Sequence, residues 1–510
     1  MIFKRLKVLG IAFGLCSTAC FAQDSLLYHV TAQTTNSHGD YTPLWLNANR
    51  FGMGDVDKNN GFLELGVLKP MRSDSLSKWG LAYGADIVGA YGSQASFYIQ
   101  QAYVEGRWLK GHLLVGSKEL PMELKNNELS SGSQTLGINA RPVPQVRVSL
   151  PDYWHFANGW LGLKGHIAYG MLTDGNWQED FTAQRRRYSK HVLYHSKAGY
   201  LKVGNEEKFP LTVEMGLEMV CLFGGDFYAL LSDGTVKKYS QDKGLKAFLS
   251  AFYPKDNNAG TENYMDIGGN HVGSWLMRIN YDAPTWKLSA YADHFFDDHS
   301  QMFLLDYDGY GTGDDWFVKT NHRYFHYPLK DILLGGELQL KRCRWMNSLL
   351  VEYLYTKYQS GSIFHDHTQN IPDHLGGRDD YYNHQWGNFH WGQVMGNPLY
   401  MSPVYNGDGS ISTKNNRFVA WHFGMSGDPI EGLHYRLMAT YQTGYGTYST
   451  PYDNPKHSLY GLAELSYRFP KSGKLEGWSI GAGLGVDKGS LLGNNYGLQI
   501  TIGKTGIIHF

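Results

Sequence analysis

The sequence feature that most constrains the fold is a two-residue alternation of apolar and polar side chains, which recurs in many segments. Between positions 433 and 442, leucine, tyrosine, leucine, alanine and tyrosine alternate with histidine, arginine, methionine, threonine and glutamine. The same alternation occurs at 212–219, 459–469 and 496–503. Successive side chains of a β-strand point to opposite faces, so each segment is predicted to be a strand with one apolar face. A soluble β-sandwich would give the same period.

The lengths of the connections separate these two fold classes. Predicted strands are joined alternately by short turns and by long loops. The short connections lie at 282–284, 341–347, 427–432 and 470–477, and the long ones at 223–271, 296–331, 359–416 and 444–457. A soluble sandwich has no reason to sort its loops in this way, whereas the pattern is typical of a transmembrane antiparallel outer-membrane β-barrel.

Counting the strands gives the size of this barrel. They are predicted at 26–34, 62–68, 79–91, 97–107, 111–117, 145–150, 160–172, 191–203, 211–222, 272–281, 285–295, 332–341, 348–358, 417–425, 433–443, 458–469, 477–486 and 496–510. We therefore predict an all-β fold of about 18 strands, an even number as in bacterial outer-membrane barrels. The segment 42–57 is predicted to form a plug or a helical piece. Because an alternating strand ends on Phe510, we expect periplasmic termini and turns and extracellular long loops.

The first 22 residues have the pattern of a secretory signal peptide. Lys4, Arg5 and Lys7 precede the short apolar stretch 8–15, and a cleavage site follows near Ala22. A lipoprotein signal ending at Cys20 is the weaker alternative. We expect residues 1–22 to be removed and 23–510 to form a single barrel domain in the bacterial outer membrane.

Composition excludes other classes of protein. The net charge of −1 provides no basic surface, so no nucleic-acid partner is expected. The mean hydropathy of −0.39 argues against a helical membrane protein. Among 510 residues there are 36 tyrosines and 14 tryptophans, which suit the aromatic girdles of a membrane barrel. Cys221 and Cys343 are too isolated in sequence for a disulfide to be predicted.

Several short blocks resemble one known family, the capsule assembly (Wzi-type) outer-membrane proteins. These blocks are Asp-Tyr-Tyr-Asn-His at 380–384, Trp391, Met-Gly-Asn-Pro-Leu at 395–399, Asn-Asn-Arg at 415–417, Tyr-Gly-Thr-Tyr at 445–448, Thr-Pro-Leu-Trp-Leu at 42–46 and Asn-Arg-Phe-Gly at 49–52. The resemblance implies a barrel of about eighteen strands that acts as a lectin and tethers capsular polysaccharide or exopolysaccharide to the cell surface. It also implies that the protein is not an enzyme. A porin-like channel for small solutes or saccharides is the alternative function.

The loop 359–416 combines aromatic rings with amide and carboxylate groups, a mixture suited to the apolar faces and hydroxyl groups of sugars. The predicted polysaccharide contacts in this loop are Tyr381, Tyr382, Asn383, His384, Trp386 and Trp391. The alternative is that the loop folds into the barrel mouth and packs on itself.

Arg185, Arg186 and Arg187 form the strongest basic cluster after the signal peptide. Guanidinium groups bind carboxylates and phosphates, so this cluster is predicted to contact an acidic capsule or lipopolysaccharide. A solvated loop is an equally good interpretation. The protein is expected to contact outer-membrane lipids and to be a monomer.

Other motifs lack the spacing that their chemistry needs. The histidines and aspartates at 365–367 and 373–374 match no zinc pattern, and the aspartates at 306–315 do not match an EF-hand. The segment 477–481 has the letters of a nucleophile elbow but begins a predicted strand. Ser449 and His457 share one predicted loop without a fixed geometry. No catalytic residue, cofactor or metal is predicted.

Overall fold

The protein was analysed as a computed structural model. The part of the chain that the structure describes comprises residues 25–71, 77–183, 185–231, 233–253, 270–297, 305–307, 310–319, 322–324, 331–357, 359, 364–366, 374–376, 382 and 387–509. The predicted signal peptide, 1–22, lies outside the described residues.

Eighteen antiparallel strands form one closed sheet, so the predicted all-β barrel is confirmed. The first strand, β1, pairs with the last, β18, from Ser25 opposite His509 to His38 opposite Tyr496. The strands are β1 Ser25–His38, β2 Asn59–Lys69, β3 Trp79–Tyr91, β4 Phe97–Trp108, β5 Gly111–Ser117, β6 Gln145–Phe156, β7 Leu161–Met171, β8 Leu193–Val203, β9 Leu211–Phe223, β10 Asn270–Asp282, β11 Trp286–Asp297, β12 Ile332–Leu340, β13 Ser348–Tyr355, β14 Phe418–Ile430, β15 Leu433–Gly446, β16 Pro451–Arg468, β17 Trp478–Gly489 and β18 Asn495–His509.

The connections are sorted by length between the two ends of the barrel. The end that holds Ser25 and His509, here the terminal end, has short turns such as 109–110 and 431–432. The opposite end, here the loop end, carries the long connections 118–144, 172–192, 224–269, 298–331 and 356–417. All these long connections lie at one end, as the predicted alternation requires, although that end also carries the short turns 92–96, 447–450 and 490–494.

The prediction of a long connection at 444–457 is wrong. β15 and β16 stay paired as far as Gly446 opposite Pro451, and only the turn 447–450 joins them. Polar residues such as Asp453 and Lys456 break the apolar alternation there. A strand that extends beyond the lipid does not need an apolar face, so the ladder continues where the hydrophobic pattern stops.

The outer surface of the barrel is apolar. In β2, for example, Leu63, Leu65 and Val67 are exposed, whereas the alternate positions Glu64 and Gly66 lie on the lumen face of the strand. Large exposed aromatic side chains mark the strand ends at the terminal end: Trp79, Trp108, Trp154, Trp160 and Trp345. Apolar walls with aromatic girdles are the form that an outer-membrane barrel presents to lipid.

Short elements occur in the connections. The helices are α1 Leu44–Asn47, α2 Gly175–Thr182 and α3 Leu245–Phe252, with 3-10 turns at Ala157–Gly159, Gly313–Asp315 and Pro403–Tyr405. Small ladders join Tyr188–Lys190 with Asp226–Leu230 and Val236–Ser240, Leu305–Tyr307 with His322–Tyr324, Phe364–Asp366 with His374–Gly376, and Phe389–His390 with Gln393–Val394. Among the described residues, no helix has the length and apolar character needed to cross a membrane.

Three segments of the loop-end connections fold into the lumen: 39–58, 118–144 and 387–417. Together they are called the lumen plug. The segments bond to one another, since Phe51 N–H donates to the Ile138 carbonyl at 2.7 Å and Gly137 N–H to the Met395 carbonyl at 3.0 Å. The segment 39–58 lies in the lumen and contains α1. The segment 42–57, predicted to form a plug or a helical piece, is therefore part of a plug and includes a short helix.

The barrel wall holds the plug through buried polar contacts. Glu352 of β13 is fully buried and accepts hydrogen bonds from Ser130 Oγ at 2.6 Å, Ser131 N–H at 2.8 Å and Tyr291 Oη at 2.6 Å. Trp45 of α1 donates its Nε1–H to Thr440 Oγ1 at 3.0 Å. A buried polar group costs free energy unless it is bonded, so wall and plug stabilise each other.

Replacing Glu352 tests this anchoring. In Glu352→Ala, the donors of Ser130, Ser131 and Tyr291 lose their acceptor inside the lumen. We expect the free energy of unfolding to fall by about 3 kcal/mol or more, because each unsatisfied buried group costs roughly 1–3 kcal/mol. Thermal unfolding of the barrel in detergent, followed by heat-modifiable migration, measures this. Glu431→Ala, in an exposed turn, is the control, and equal unfolding of both variants would refute the anchoring.

Candidate functional site

Helix α2 presents two aromatic rings at the loop end. The helix begins after Asp174, whose carbonyl accepts the Gln178 N–H at 2.9 Å. It ends at Thr182, and the next residue, Ala183, is left-handed with φ 48°. Residues four apart lie on one face of a helix, so Trp177 and Phe181 are neighbours. Their rings stack with centroids 4.8 Å apart and planes inclined by 22°, and both are half-buried.

Trp391 comes from a different loop and lies beside α2. Its backbone N–H donates to Asp174 Oδ2 at 2.9 Å, and its Nε1–H donates to Thr173 Oγ1 at 3.3 Å. The next residue, Gly392, has φ +70°, and a Cβ there would lie 2.2 Å from Trp177 Cη2. Only glycine allows this approach. Trp177, Phe181 and Trp391 are called the aromatic group below.

The aromatic group rests on a buried cation. The Arg141 guanidinium, in the lumen plug, lies 4.6 Å from the ring centroid of Trp391 and 3.6 Å from that of Tyr98 in the wall. Burial lowers the pKa of Arg141, although Tyr98 and Asp55 oppose this electrostatically. Cation–π contacts are strongest when water is excluded, so Arg141 joins the surface ring to the barrel wall.

The three predicted arginines follow α2 directly in the chain and are exposed, and Arg185 N–H donates to the Thr182 carbonyl at 2.9 Å. Arg186 Nη2 is 3.9 Å from Asp408 Oδ2 in the plug segment 387–417. Arg187 lines a small cavity together with Gly387 and Phe389 of the same segment. Within the described part of the chain, Arg185 and Arg187 form no ion pair. The structure therefore brings the arginine cluster next to the loop that was predicted to bind saccharide.

A three-stranded sheet at the loop end supports the arginines. Its edge strand, Tyr188–Lys190, directly follows Arg187 and pairs with Asp226–Leu230. Asp226 lies among three basic groups, Lys238 Nζ at 3.3 Å, Lys243 Nζ at 3.4 Å and His191 Nδ1 at 3.5 Å. Burial raises the pKa of Asp226, but the Ser240 hydroxyl and the two lysines outweigh burial and hold it at about 2.

The other predicted contact residues are placed differently or are not described. Tyr382 is only 3% exposed: its hydroxyl donates to the Gln134 carbonyl, and its ring is 4.5 Å from that of Tyr400. It packs on the lumen plug. Tyr381, Asn383, His384 and Trp386 lie outside the described residues, and saccharide contact by this set stays a prediction.

Sequence reasoning missed Trp177 and Phe181. Their spacing of four residues between Asp174 and Ala183 was the available signal, because it is helical rather than alternating. The contact of Trp177 with Gly392, more than two hundred residues away, had no signal in the sequence.

The structure also locates the other motifs considered in the sequence. Trp478 begins β17, so the nucleophile-elbow pattern lies on a strand, as predicted. His457 lies within β16, with its Nδ1 2.9 Å from Tyr441 Oη, and Ser449 lies in the turn before that strand. Asp314 and Asp315 are exposed. Asp308, His367 and Asp373 lie outside the described residues. Cys221 and Cys343 are free thiols.

Comparison with known proteins gives a fold and no family. No protein-family model matches the sequence, and no curated protein sequence matches it. The structure is similar to Wzi of Escherichia coli, an outer-membrane protein involved in group 1 capsule assembly and described as a carbohydrate-binding β-barrel. The TM-score is 0.53 at 13% identity, over 93% of this chain and 83% of Wzi.

Two further barrels are similar at lower scores. OprD of Pseudomonas aeruginosa has a TM-score of 0.44 at 10% identity, over 95% of each chain. A BenF-like porin of Pseudomonas fluorescens has a TM-score of 0.45 at 9% identity, over 95% of this chain and 98% of the porin. By fold, the protein is a bacterial outer-membrane β-barrel, as the likeness to Wzi shows.

The ion pairs of Asp226 predict how the three-stranded sheet next to the arginines responds to acid. Folding lowers the pKa of the Asp226 carboxyl from about 3.9 to about 2. The ionised carboxylate therefore stabilises the folded sheet above pH 4, and this stabilisation is lost as pH falls through about 2. We expect backbone amides of Asp226–Leu230 to be protected from hydrogen exchange at pH 4 and to lose protection near pH 2, after correction for intrinsic rates.

Asp226→Asn removes the charge, so protection of this strand should already be low at neutral pH and nearly independent of pH below 5. Asp233→Asn, in the exposed turn of the same connection, is the matched control and should behave as wild type. Protection in Asp226→Asn equal to that of wild type would contradict the role assigned to Asp226.

Proposed function

We propose that the protein is an outer-membrane lectin that attaches capsular polysaccharide or exopolysaccharide to the cell surface. The observation that carries the proposal is the juxtaposition of Arg185, Arg186 and Arg187 with the aromatic group at the loop end of the barrel. In this proposal the loop end is extracellular, residues 1–22 are a cleaved signal peptide, and the polysaccharide is bound without chemical change.

The chemistry of the surface suits an acidic sugar chain. Half-buried rings offer flat apolar faces on which the C–H faces of sugars can stack. Exposed guanidinium groups offer forked donors that match uronate carboxylates or phosphates. Among the residues that the structure describes, no carboxylate pairs with the guanidinium group of Arg185 or Arg187, so both can donate to a ligand. The surface is tied to the rest of the fold, since Trp391 rests on Arg141 and the strand that follows Arg187 pairs with Asp226–Leu230.

The likeness to Wzi supports the proposal at the level of fold. Four of the blocks that carry the family resemblance lie in the lumen plug and at its junction with β14: 42–46, 49–52, 395–399 and 415–417. Membership of the capsule-assembly family is part of the proposal. It would explain why a barrel devotes about eighty residues to filling its own lumen.

A channel for small solutes or saccharides is the second candidate function. Several polar groups of the wall that would line a channel are bonded to the plug instead. Asp293 forms a fully buried ion pair with Lys125 at 3.0 Å, and His422 lies 2.7 Å from the Leu129 carbonyl. We therefore expect planar-bilayer recordings of the purified barrel to show no steady conductance. Steady conductance at neutral pH would favour the channel over the lectin.

Removing the arginines tests the lectin directly. We expect the triple variant Arg185→Ala, Arg186→Ala, Arg187→Ala to bind acidic capsular polysaccharide from its own strain about ten-fold or more weakly than wild type. Exposed ion pairs contribute up to about 1 kcal/mol each, and about 1.4 kcal/mol is a factor of ten. Binding of a neutral polysaccharide should not change, and the wild-type affinity for the acidic one should fall with added salt.

The matched control removes the same charge from the terminal end, with Arg468→Ala, Lys471→Ala and Lys474→Ala, which are all exposed. This control should retain polysaccharide like wild type. If both triple variants lose affinity equally, the effect is one of net charge and the arginine surface is not the site. If wild-type barrel binds no polysaccharide and a deletion strain keeps its capsule attached, the proposed function is wrong.

A further inference from the structure

Three neighbouring strands direct a histidine and two carboxylates to one point of the lumen wall. His29 of β1 lies opposite Gly66 of β2, and Gly66 lies opposite Asp86 of β3, so the three residues form a row across the sheet. Glu64 is two positions from Gly66 and therefore on the same face. The side chains of His29, Glu64 and Asp86 are 22%, 13% and 3% exposed.

Gly66 makes the convergence of these groups possible. A Cβ at this position would lie 2.1 Å from His29 Cε1 and 2.3 Å from Asp86 Oδ1. The imidazole and the carboxylate therefore meet over the bare backbone of β2. Any other residue at position 66 would force the two side chains apart.

The separations of the polar atoms suit a shared cation. His29 Nε2 is 3.4 Å from Glu64 Oε1 and 3.7 Å from Asp86 Oδ1, and the three ligand atoms all lie within 4.8 Å of one another. These separations exceed the roughly 2.7–3.2 Å of ordinary N–H···O hydrogen bonds. Two ligands that each lie about 2.1 Å from a tetrahedral ion are about 3.4 Å apart.

A β-bulge provides an outer layer of support. The register of β3 and β4 shifts after Asp86 opposite Gln101, which directs both Gln100 and Gln101 into the lumen. Gln101 Nε2 donates to Asp86 Oδ2, so the Oδ1 atom is left facing His29. Second-shell donors of this kind orient the ligands of metal sites, and bulges commonly re-aim side chains at functional sites.

The local charge is unbalanced. Besides Glu64 and Asp86, the carboxylate of Glu119 in the lumen plug is close enough to act electrostatically on His29. Gln100 Nε2 donates to Glu119 at 2.8 Å, and Glu119 N–H donates to Gln101 Oε1 at 2.8 Å. Lys118, the nearest basic residue in sequence, is bonded to Glu105 instead. Glu64 and Asp86 place two carboxylates against one imidazole, so a divalent cation would supply the missing positive charge.

We propose that His29, Glu64 and Asp86 bind one divalent transition-metal cation, for which zinc is the best match. One imidazole nitrogen and two carboxylate oxygens are suitable ligands for zinc, with water in the remaining position. The ion would join β1 to β2 and β3 beside the β1–β18 closure. Its role is structural, so bound zinc should stabilise the closed barrel.

Zinc titration of the untagged full-length barrel in detergent tests the site, after chelator treatment and dialysis. We expect one tight zinc ion per barrel by calorimetry and elemental analysis, together with a rise in the thermal unfolding temperature. Glu64→Gln and His29→Gln should each weaken zinc binding about ten-fold or more and abolish the thermal shift, since each removes one of three protein ligands.

The matched control is His434→Gln. His434 also contacts two carboxylates, but it does so through opposite ring nitrogens, Nδ1 to Asp428 at 2.9 Å and Nε2 to Glu128 at 2.5 Å, so its ligand atoms diverge. This variant should bind zinc like wild type. Absence of tight zinc in wild type, unchanged affinity in Glu64→Gln, or loss of affinity in His434→Gln would each overturn the proposal. Heat-modifiable migration shows whether each variant folds. If the variants do not fold, absence of tight zinc in the wild-type barrel would still overturn the proposal.

Discussion

The pairing of β1 with β18 is the constraint on which the rest of the structure depends. Inside a bilayer no water is available to bond a free strand edge, and each unsatisfied backbone group costs several kcal/mol. The fourteen-residue ladder from Ser25 to His38 satisfies both edges of the sheet at once. Closure also separates the lumen from lipid, and this separation permits polar side chains on the inner face of every strand.

A polar lumen explains the form of the plug. Its segments share a buried hydrophobic cluster with the wall, which includes Trp45, Leu129 and Leu354. They also provide partners for buried carboxylates, amides and imidazoles. Glu352, Asp293 and His422 each bond backbone or side-chain groups of the segment 118–144. The plug in turn supports the outer surface, since Arg141 lies under Trp391. The wall therefore holds the plug in place, and the plug holds the aromatic group at the loop end.

Much of the fold could be predicted from the sequence, because the period of two and the sorting of loop lengths are local properties. The eighteen strands, the alternation of turns and loops and an insertion at 42–57 follow from them. The length of β16 could not be predicted, because hydrophobic alternation reports contact with lipid and this strand continues beyond it. The site was predicted in part. Arg185, Arg186 and Arg187 were recognised as one cluster, whereas Trp177 and Phe181 were missed because helical spacing carried little weight in a chain dominated by strands.

The sequence alone determined which faces are apolar, where the chain turns and which residues are basic or aromatic, since these properties need only neighbours along the chain. Only the tertiary structure decided that 387–417 enters the lumen while α2 stays at the rim, and that His29 meets Asp86 across Gly66. Closure of the barrel brings residues from distant strands and loops to common points. The register of those strands, which no single segment specifies, decides which side chains meet.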